Sequence, residues 1–276
     1  MLHALFICVV SSLCLAAPTL KIQGSTTVNP VVVEAAQHFR AKGWKIFVDT
    51  QGGSSGGIAA LGDKLVTIAM SSRPINDKDR AKHPKVDFRV TVIGYDGVAL
   101  AVSRKVYDGG VHALTKAQLR DIYEARIQNW KDVGGPASPI VFFNKEPGRG
   151  TWEVFAHFLY DSPDKAPSVH HPEVGGNEEG RTKVASHASA ITQLSAAWVE
   201  SSEKIKSIAI KTDNGKEILP TNENIYNHMY PMRRDLLVVT NGNPQGSEAD
   251  FIRYILSDEG QELVKKHGYL RLKSMP

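Results

Sequence analysis

The sequence predicts an α/β protein. Three observations carry that prediction: strand-like and helix-like segments alternate along the chain, glycine- and hydroxyl-rich junctions recur between them, and the composition is globular. The chain has 276 residues, 42% of them apolar, 8% aromatic and 22% charged. That balance excludes a disordered chain, a collagen-like repeat and a multi-span membrane protein. The length suits one large or two medium domains. Net charge is +4, from 33 basic and 29 acidic residues. No run of five like charges occurs, so nothing points to a nucleic-acid arm or a polybasic membrane patch.

The elements follow in order. Residues 20–23 read as a short strand. Residues 30–39 read as a helix that turns Val28, Val31, Val32, Ala35, Ala36 and Phe39 to one face. A strand over 45–50, a short helix over 58–64 and a strand over 65–70 come next. Two strands, 88–93 and 98–103, are separated by Gly94-Tyr95-Asp96-Gly97. Thr115 caps a helix with Leu119, Ile122 and Tyr123 inward. Beyond it the pattern predicts a strand over 140–143, a helix over 152–160 and a long helix over 184–199. Strands over 205–210 and 235–240 precede closing helices over 248–256 and 260–267, the last ended by Gly268. Residues 161–180, rich in Pro, Gly, Asn and acid, read as a surface excursion.

The first residues bear on compartment. Leu2 to Ala17 contain no Lys, Arg, Asp or Glu, and Ala4 to Val10 form an apolar run. With small residues at Cys14 and Ala16, residues 1–16 read as a secretory signal cut after Ala16, which places the mature chain in the periplasm or outside the cell. The segment is too short to span a membrane. Both cysteines, Cys8 and Cys14, lie in it, so the mature chain would offer no thiol for a disulfide, a zinc site or a nucleophile.

Three junctions look alike. Gly24-Ser25-Thr26-Thr27, Gly52-Gly53-Ser54-Ser55-Gly56-Gly57 and Gly148-Arg149-Gly150-Thr151 each follow a predicted strand and precede a predicted helix. The first turn of a helix leaves N–H groups free, and its dipole favours negative charge. Glycine lets the main chain approach a ligand, and Ser and Thr hydroxyls add donors. In an open α/β sheet such junctions lie at the carboxyl ends of strands, where ligands bind. Three converging on one cleft would cradle a tetrahedral oxyanion. Taken singly, each is only a favourable helix start.

Other chemistries fit less well. No Gly-Lys-Ser/Thr triplet is present, which excludes a nucleotide P-loop. Gly53-Ser54-Ser55-Gly56-Gly57 contains Gly-x-Ser-x-Gly, so a secreted serine hydrolase using Ser55 is an alternative, but no histidine lies in a diagnostic setting. His170-His171-x-Glu173 lacks zinc-ligand spacing. The reading therefore calls for no enzyme activity, no cofactor and no metal.

Several stretches resemble the extracytoplasmic phosphate-binding proteins that serve ABC-type phosphate importers. They are Gly24-Ser-Thr-Thr-Val-Asn-Pro30, Gln51-Gly-Gly-Ser-Ser-Gly-Gly57, Ile68-Ala-Met-Ser-Ser-Arg73, Asp96-Gly-Val-Ala-Leu100, Leu114 to Tyr123, Asn129-Trp130-Lys-Asp-Val-Gly-Gly135 and Phe251 to Gln261. The resemblance is weakest over 161–181. It implies a two-lobed type II periplasmic-binding-protein fold with the ligand in the inter-lobe cleft. It also implies crossovers near 94–97 and 230–234, one lobe of residues 17–93 with 235–276, and a second of 94–234. Carried over, Thr26 and Thr27 would offer an N–H and a hydroxyl, Ser54 its hydroxyl, and Gly150 and Thr151 donors from a helix start.

The chain also departs from the best-known members. Arg149 stands where they carry a small donor, and Lys145 where arginine is common. Ser72 stands where some place an aspartate that accepts the proton of hydrogen phosphate, and Arg73 follows it. The expectation is that Arg149 or Arg73 supplies the main positive charge, with Lys145 secondary, and that Asp96 discriminates phosphate from sulfate. The implied function is capture of phosphate, or of another tetrahedral oxyanion such as sulfate or molybdate. A monomer would hand it to the membrane permease of an ABC importer.

Overall fold

The computed structural model describes residues 17–272. The expected signal, with both cysteines, lies outside the described residues. The first part of the chain runs β1 (Thr19–Gly24), α1 (Asn29–Arg40), β2 (Lys45–Asp49), α2 (Gly53–Gly62), β3 (Ile68–Ser71), α3 (Asp77–Lys82) and β4 (Phe88–Ser103). The middle runs α4 (Arg104–Asp108), β5 (Ala113–Thr115), α5 (Lys116–Tyr123), β6 (Val141–Lys145), α6 (Gly150–Tyr160), β7 (Glu173–Val174), α7 (Asn177–Ser186) and β8 (Ala190–Ser195). It continues with α8 (Ala196–Glu200), β9 (Ile205–Lys211), β10 (Glu217–Ile218) and α9 (Asn222–Tyr226), and closes with β11 (Arg233–Asn241), α10 (Gly246–Leu256) and α11 (Asp258–Lys266).

The strands line up as β2-β1-β3-β11-β4-β8-β6-β7, with β9 also on β4 and carrying β5 and β10. β1 pairs in parallel with β2 and β3, as crossover helices require. β4 and β11 are antiparallel neighbours, and they join the two halves of the molecule. Residues 88–97 of β4 pair with β11, and its residues 98–103 pair with β8 and β9.

Two large apolar cores result. In one lobe the sheet residues Leu20, Ile22, Ile68, Met70 and Val238 pack against Val32, Ala35 and Phe39 of α1 and Phe251 and Ile255 of α10. On the sheet's other face Ile58 and Leu61 of α2 meet Ala69, Leu237 and Val239. In the second lobe, Val98 to Val102, Ile191, Leu194 and Ile208 pack with Leu119, Ile122, Phe155 and the buried ring of Trp130. Each fully buried Leu, Ile or Phe contributes about 1.5–3 kcal/mol.

The α/β class and the face of α1 are as the sequence predicts; several boundaries are not. The two strands expected at 88–93 and 98–103 are one 16-residue strand that continues through Gly94-Tyr95-Asp96-Gly97. Residues 184–199 are not one helix. They hold the end of α7, then β8, then α8. β8 is buried at all six positions, so it carries no inside-outside alternation. Val184, Ile191, Leu194 and Trp198 then mimic helical spacing. The excursion at 161–180 contains β7, paired with β6, and the start of α7. α2 begins at Gly53, five residues before the predicted start. Glycine lowers helix propensity, but Gly57 has a separate reason: a Cβ there would lie 2.4 Å from the Gln23 carbonyl oxygen. No described helix is long and apolar enough to cross a membrane.

Candidate functional site

Four helix starts converge between the lobes. α1, α2, α6 and α7 all begin without a side-chain cap, as do α8 and α10 elsewhere, whereas α3, α4, α5, α9 and α11 are capped by Asn, Ser or Thr side chains. An uncapped start keeps N–H groups available to an anion. Around these starts a small enclosure is lined by Ser25, Thr26 and Thr27 before α1, Gly53 and Ser54 of α2, and Ser72 after β3. Lys145, Arg149, Gly150 and Thr151, with Gly175 and Asn177, line it from the other lobe. Its volume is about 10 Å³, on the scale of a single small species, which excludes a nucleotide, sugar or peptide in this closed form. A larger cleft of about 640 Å³ opens beside it, lined by apolar groups such as Val90, Val92, Val154, Phe158 and Leu237. Arginines, among them Arg73, Arg80, Arg233 and Arg234, also border that cleft, but the glycine- and hydroxyl-rich helix starts converge on the small enclosure.

The lobes touch across the enclosure. A Cβ on Gly150 would lie 2.6 Å from both the Ser54 and the Ser72 hydroxyl oxygens, so only glycine lets α6 approach this closely. The hydroxyls form a network: Ser25 Oγ donates to Ser72 Oγ at 2.9 Å, and the Ser72 N–H donates to Ser54 Oγ at 3.1 Å. Beneath them lies Arg234. Its Nη1 donates to Thr151 Oγ1 (2.9 Å) and Ser72 Oγ (3.3 Å), and its Nη2 to Thr27 Oγ1 (3.1 Å). By filling oxygen lone pairs, the guanidinium frees hydroxyl hydrogens to point into the enclosure.

Thr26, Thr27, Ser54, Ser72, Lys145, Arg149, Gly150 and Thr151 are therefore brought together, and Arg73 and Asp96 do not line the enclosure. Arg73 turns away. Its Nη1 and Nη2 donate to Asp79 (2.6 and 3.1 Å), Nη2 also donates to Ser55 Oγ (2.8 Å), and Nε lies 2.8 Å from Glu153 Oε1. Its charge is spent on two carboxylates, because Asp79 opens the nearby helix α3 and Glu153 sits one turn into α6. Burial raises the Glu153 carboxyl above its ordinary range, and Arg73 opposes the rise. Asp96 is saturated as well: Oδ1 accepts from Ser195 Oγ (3.0 Å), and Oδ2 from Arg234 Nε (3.0 Å) and Nη2 (2.7 Å). Asp96 and Arg234 face each other across the β4–β11 ladder.

Two further cations complete the field. Arg149 pairs with Glu146, with Nε to Oε2 at 2.8 Å, and reaches the Thr50 carbonyl of the other lobe at 3.5 Å. Lys145 is 1% exposed, and its ammonium donates to the carbonyls of Gly175 and Gly176. Burial, with Arg149 alongside, lowers its pKa to about 7. Sequence reasoning missed Arg234, Asn177 and Ser25 as lining or backing residues. Ser25 stood within a recognised motif. Asn177 lay in the supposed excursion, although Gly176-Asn177 before two glutamates is a plausible helix start. Arg234 carried no local signal. Ser55 Oγ, the alternative nucleophile, donates to Glu153 (2.9 Å) and accepts from Arg73, and among the described residues no histidine hydrogen-bonds to it.

The model of the PBP superfamily domain matches residues 15–259. The chain belongs to the PBP superfamily. Among relatives of this superfamily member, the phosphate-binding protein PstS of Borreliella burgdorferi is 29% identical over 269 residues, covering 92% of this chain and 90% of that protein. The phosphate-binding protein PstS of Bacillus subtilis is 26% identical over 263 residues, covering 94% and 83%. A Clostridium perfringens crystal structure with bound phosphate, assigned as a phosphate ABC transporter substrate-binding protein, is similar with a TM-score of 0.80. Identity is 29%, and the match covers 92% of this chain and all of that one. These similarities agree with a two-lobed fold that places its enclosure between the lobes.

Proposed function

We propose that this chain captures inorganic phosphate between its lobes outside the cytoplasm and presents it, as a monomer, to the membrane permease of an ABC-type importer. No bond is made or broken. In this reading the lobes are residues 17–93 with 235–276 and residues 94–234. The observation that carries the reading is the convergence of hydroxyls and four uncapped helix starts from both lobes on one small enclosure, backed by the buried Arg234. Thr26, Thr27, Ser54 and Ser72 bind from one lobe, and Gly150 and Thr151 from the other. Lys145 and Arg149 add positive charge. Hinge closure then buries the anion among donors that are already oriented.

The phosphate in the Clostridium perfringens structure and the names of the PstS relatives support phosphate over other oxyanions. The test is calorimetry on the chain beginning at Ala17 with phosphate, sulfate, molybdate and a phosphonate. Phosphate is expected to bind one to one and more tightly than the others. A chain that binds sulfate or molybdate more tightly would refute the ligand assignment, and one that binds none would refute the function.

A further inference from the structure

The enclosure is rich in donors and poor in free acceptors. Asn177, the first residue of α7, lines it and is 1% exposed. Its Nδ2 donates to Thr27 Oγ1 at 3.0 Å, the same oxygen that receives Arg234 Nη2 at 3.1 Å. Both lone pairs of that hydroxyl are then filled, and its hydrogen is free for a ligand. The other end of the same amide is different. Asn177 Oδ1 is buried and has no hydrogen-bond donor among the described residues. A buried acceptor left without a donor is uncommon, and one lining a polar enclosure points to a ligand that brings its own hydrogen. The Asp96 carboxylate does not compete for that role, since both its oxygens are taken by Ser195 and Arg234.

We propose that Asn177 is the specificity-determining residue of the site, its Oδ1 accepting the P–OH hydrogen of hydrogen phosphate. The inference rests on the proposed capture of phosphate and adds how the anion is told from its isosteres. Sulfate has the same shape and charge but no hydrogen, so it sets an oxygen lone pair against Oδ1 in a buried site. Selection by an amide oxygen differs from selection by a carboxylate in one respect. It adds no negative charge beside the anion, so the acceptor does not repel the phosphate it reads.

The experiment is calorimetric titration of the wild-type chain, Asn177→Ala and Asn177→Asp with phosphate and with sulfate at fixed ionic strength and pH 7. Wild type is expected to prefer phosphate strongly. Asn177→Ala is expected to lose roughly tenfold or more in phosphate affinity, the scale of one hydrogen bond, while sulfate affinity holds or improves. Asn177→Asp keeps an acceptor and is expected to keep the phosphate-to-sulfate ratio or raise it, which holds even if the alanine variant does not fold. Equal losses for both anions in Asn177→Ala, or a collapsed ratio in Asn177→Asp, would overturn the proposal. So would a sulfate affinity that falls more than the phosphate affinity in Asn177→Ala, the sign of an amide that donates. A wild-type chain that binds both anions equally would overturn it and leave oxyanion capture standing, whereas one that ignores phosphate would defeat the proposed function itself.

Discussion

Arg234 carries four jobs with one guanidinium: it pairs with Asp96 and donates to Thr27, Ser72 and Thr151. Removing one member of a buried pair leaves the other uncompensated, which costs about 3–5 kcal/mol. Arg234→Met should therefore destabilise the chain by about that amount in a denaturant titration. Arg234→Lys should be milder, and it should still weaken phosphate binding at least ~10-fold, since an ammonium cannot hold three hydroxyls and a carboxylate in a planar fork. Lys145 gives a pH test. Between about pH 7 and its ordinary value of 10.5, the unfolded chain holds this proton and the folded chain does not. The anion-free protein should thus gain stability as pH rises through that window, by up to about 1.4 kcal/mol per unit. Below about pH 7 both states hold the proton, and the slope from this group vanishes. Lys145→Met should flatten the rise in pH-dependent unfolding. At this scale the sequence was legible where donors sit in short motifs, as at Thr26, Thr27, Ser54 and Thr151. It was not legible at Arg234, whose partner Asp96 is 138 residues away. Arg73 adjoins Ser72 in sequence but turns to Asp79 and Glu153, and nothing local announced that.

Helix starts decide the next scale. The junction motifs were readable because strand, glycine-hydroxyl run and helix follow one another at each of them. The fourth start, at Asn177, was hidden because β7 is only two residues long and the surrounding composition reads as a loop. The fully buried β8 was hidden for a different reason: strands buried on both faces lose the period-2 signature that separates them from helices. Gly150 gives the test at this scale. It is the first residue of α6 and has no left-handed backbone, so alanine is tolerated within its own lobe. Across the cleft, the new Cβ meets the Ser54 and Ser72 oxygens. Gly150→Ala should keep the anion-free stability within ~0.5 kcal/mol while lowering phosphate affinity at least ~10-fold. Thermal unfolding and calorimetry on the same sample check both halves.

At the scale of the whole molecule, the two lobes are tied by strands β4 and β11 and, on the cleft side, by contacts that exist only when the lobes are together. Arg73 from one lobe reaches Glu153 of the other, with Ser55 bridging them. Such a latch shifts the open-closed balance by its own differential energy. Glu153→Gln keeps the shape and removes the charge. Phosphate affinity is expected to fall roughly three- to tenfold, about 1 kcal/mol, as closure becomes less favourable. Small-angle scattering should show a larger radius of gyration for the anion-free variant than for the wild type. The two-lobed architecture was legible from the resemblance and the alternating elements; the latch was not, because it depends on how α2 and the loop after β3 meet α6 after closure. The most direct test of anion capture is a crystal structure of the chain grown with phosphate. The anion should sit within hydrogen-bond reach of Thr27, Ser54 and Thr151, with Arg234 behind the hydroxyls. Phosphate found only in the larger apolar cleft, or an enclosure that stays free of it at saturating concentration, would contradict the assignment.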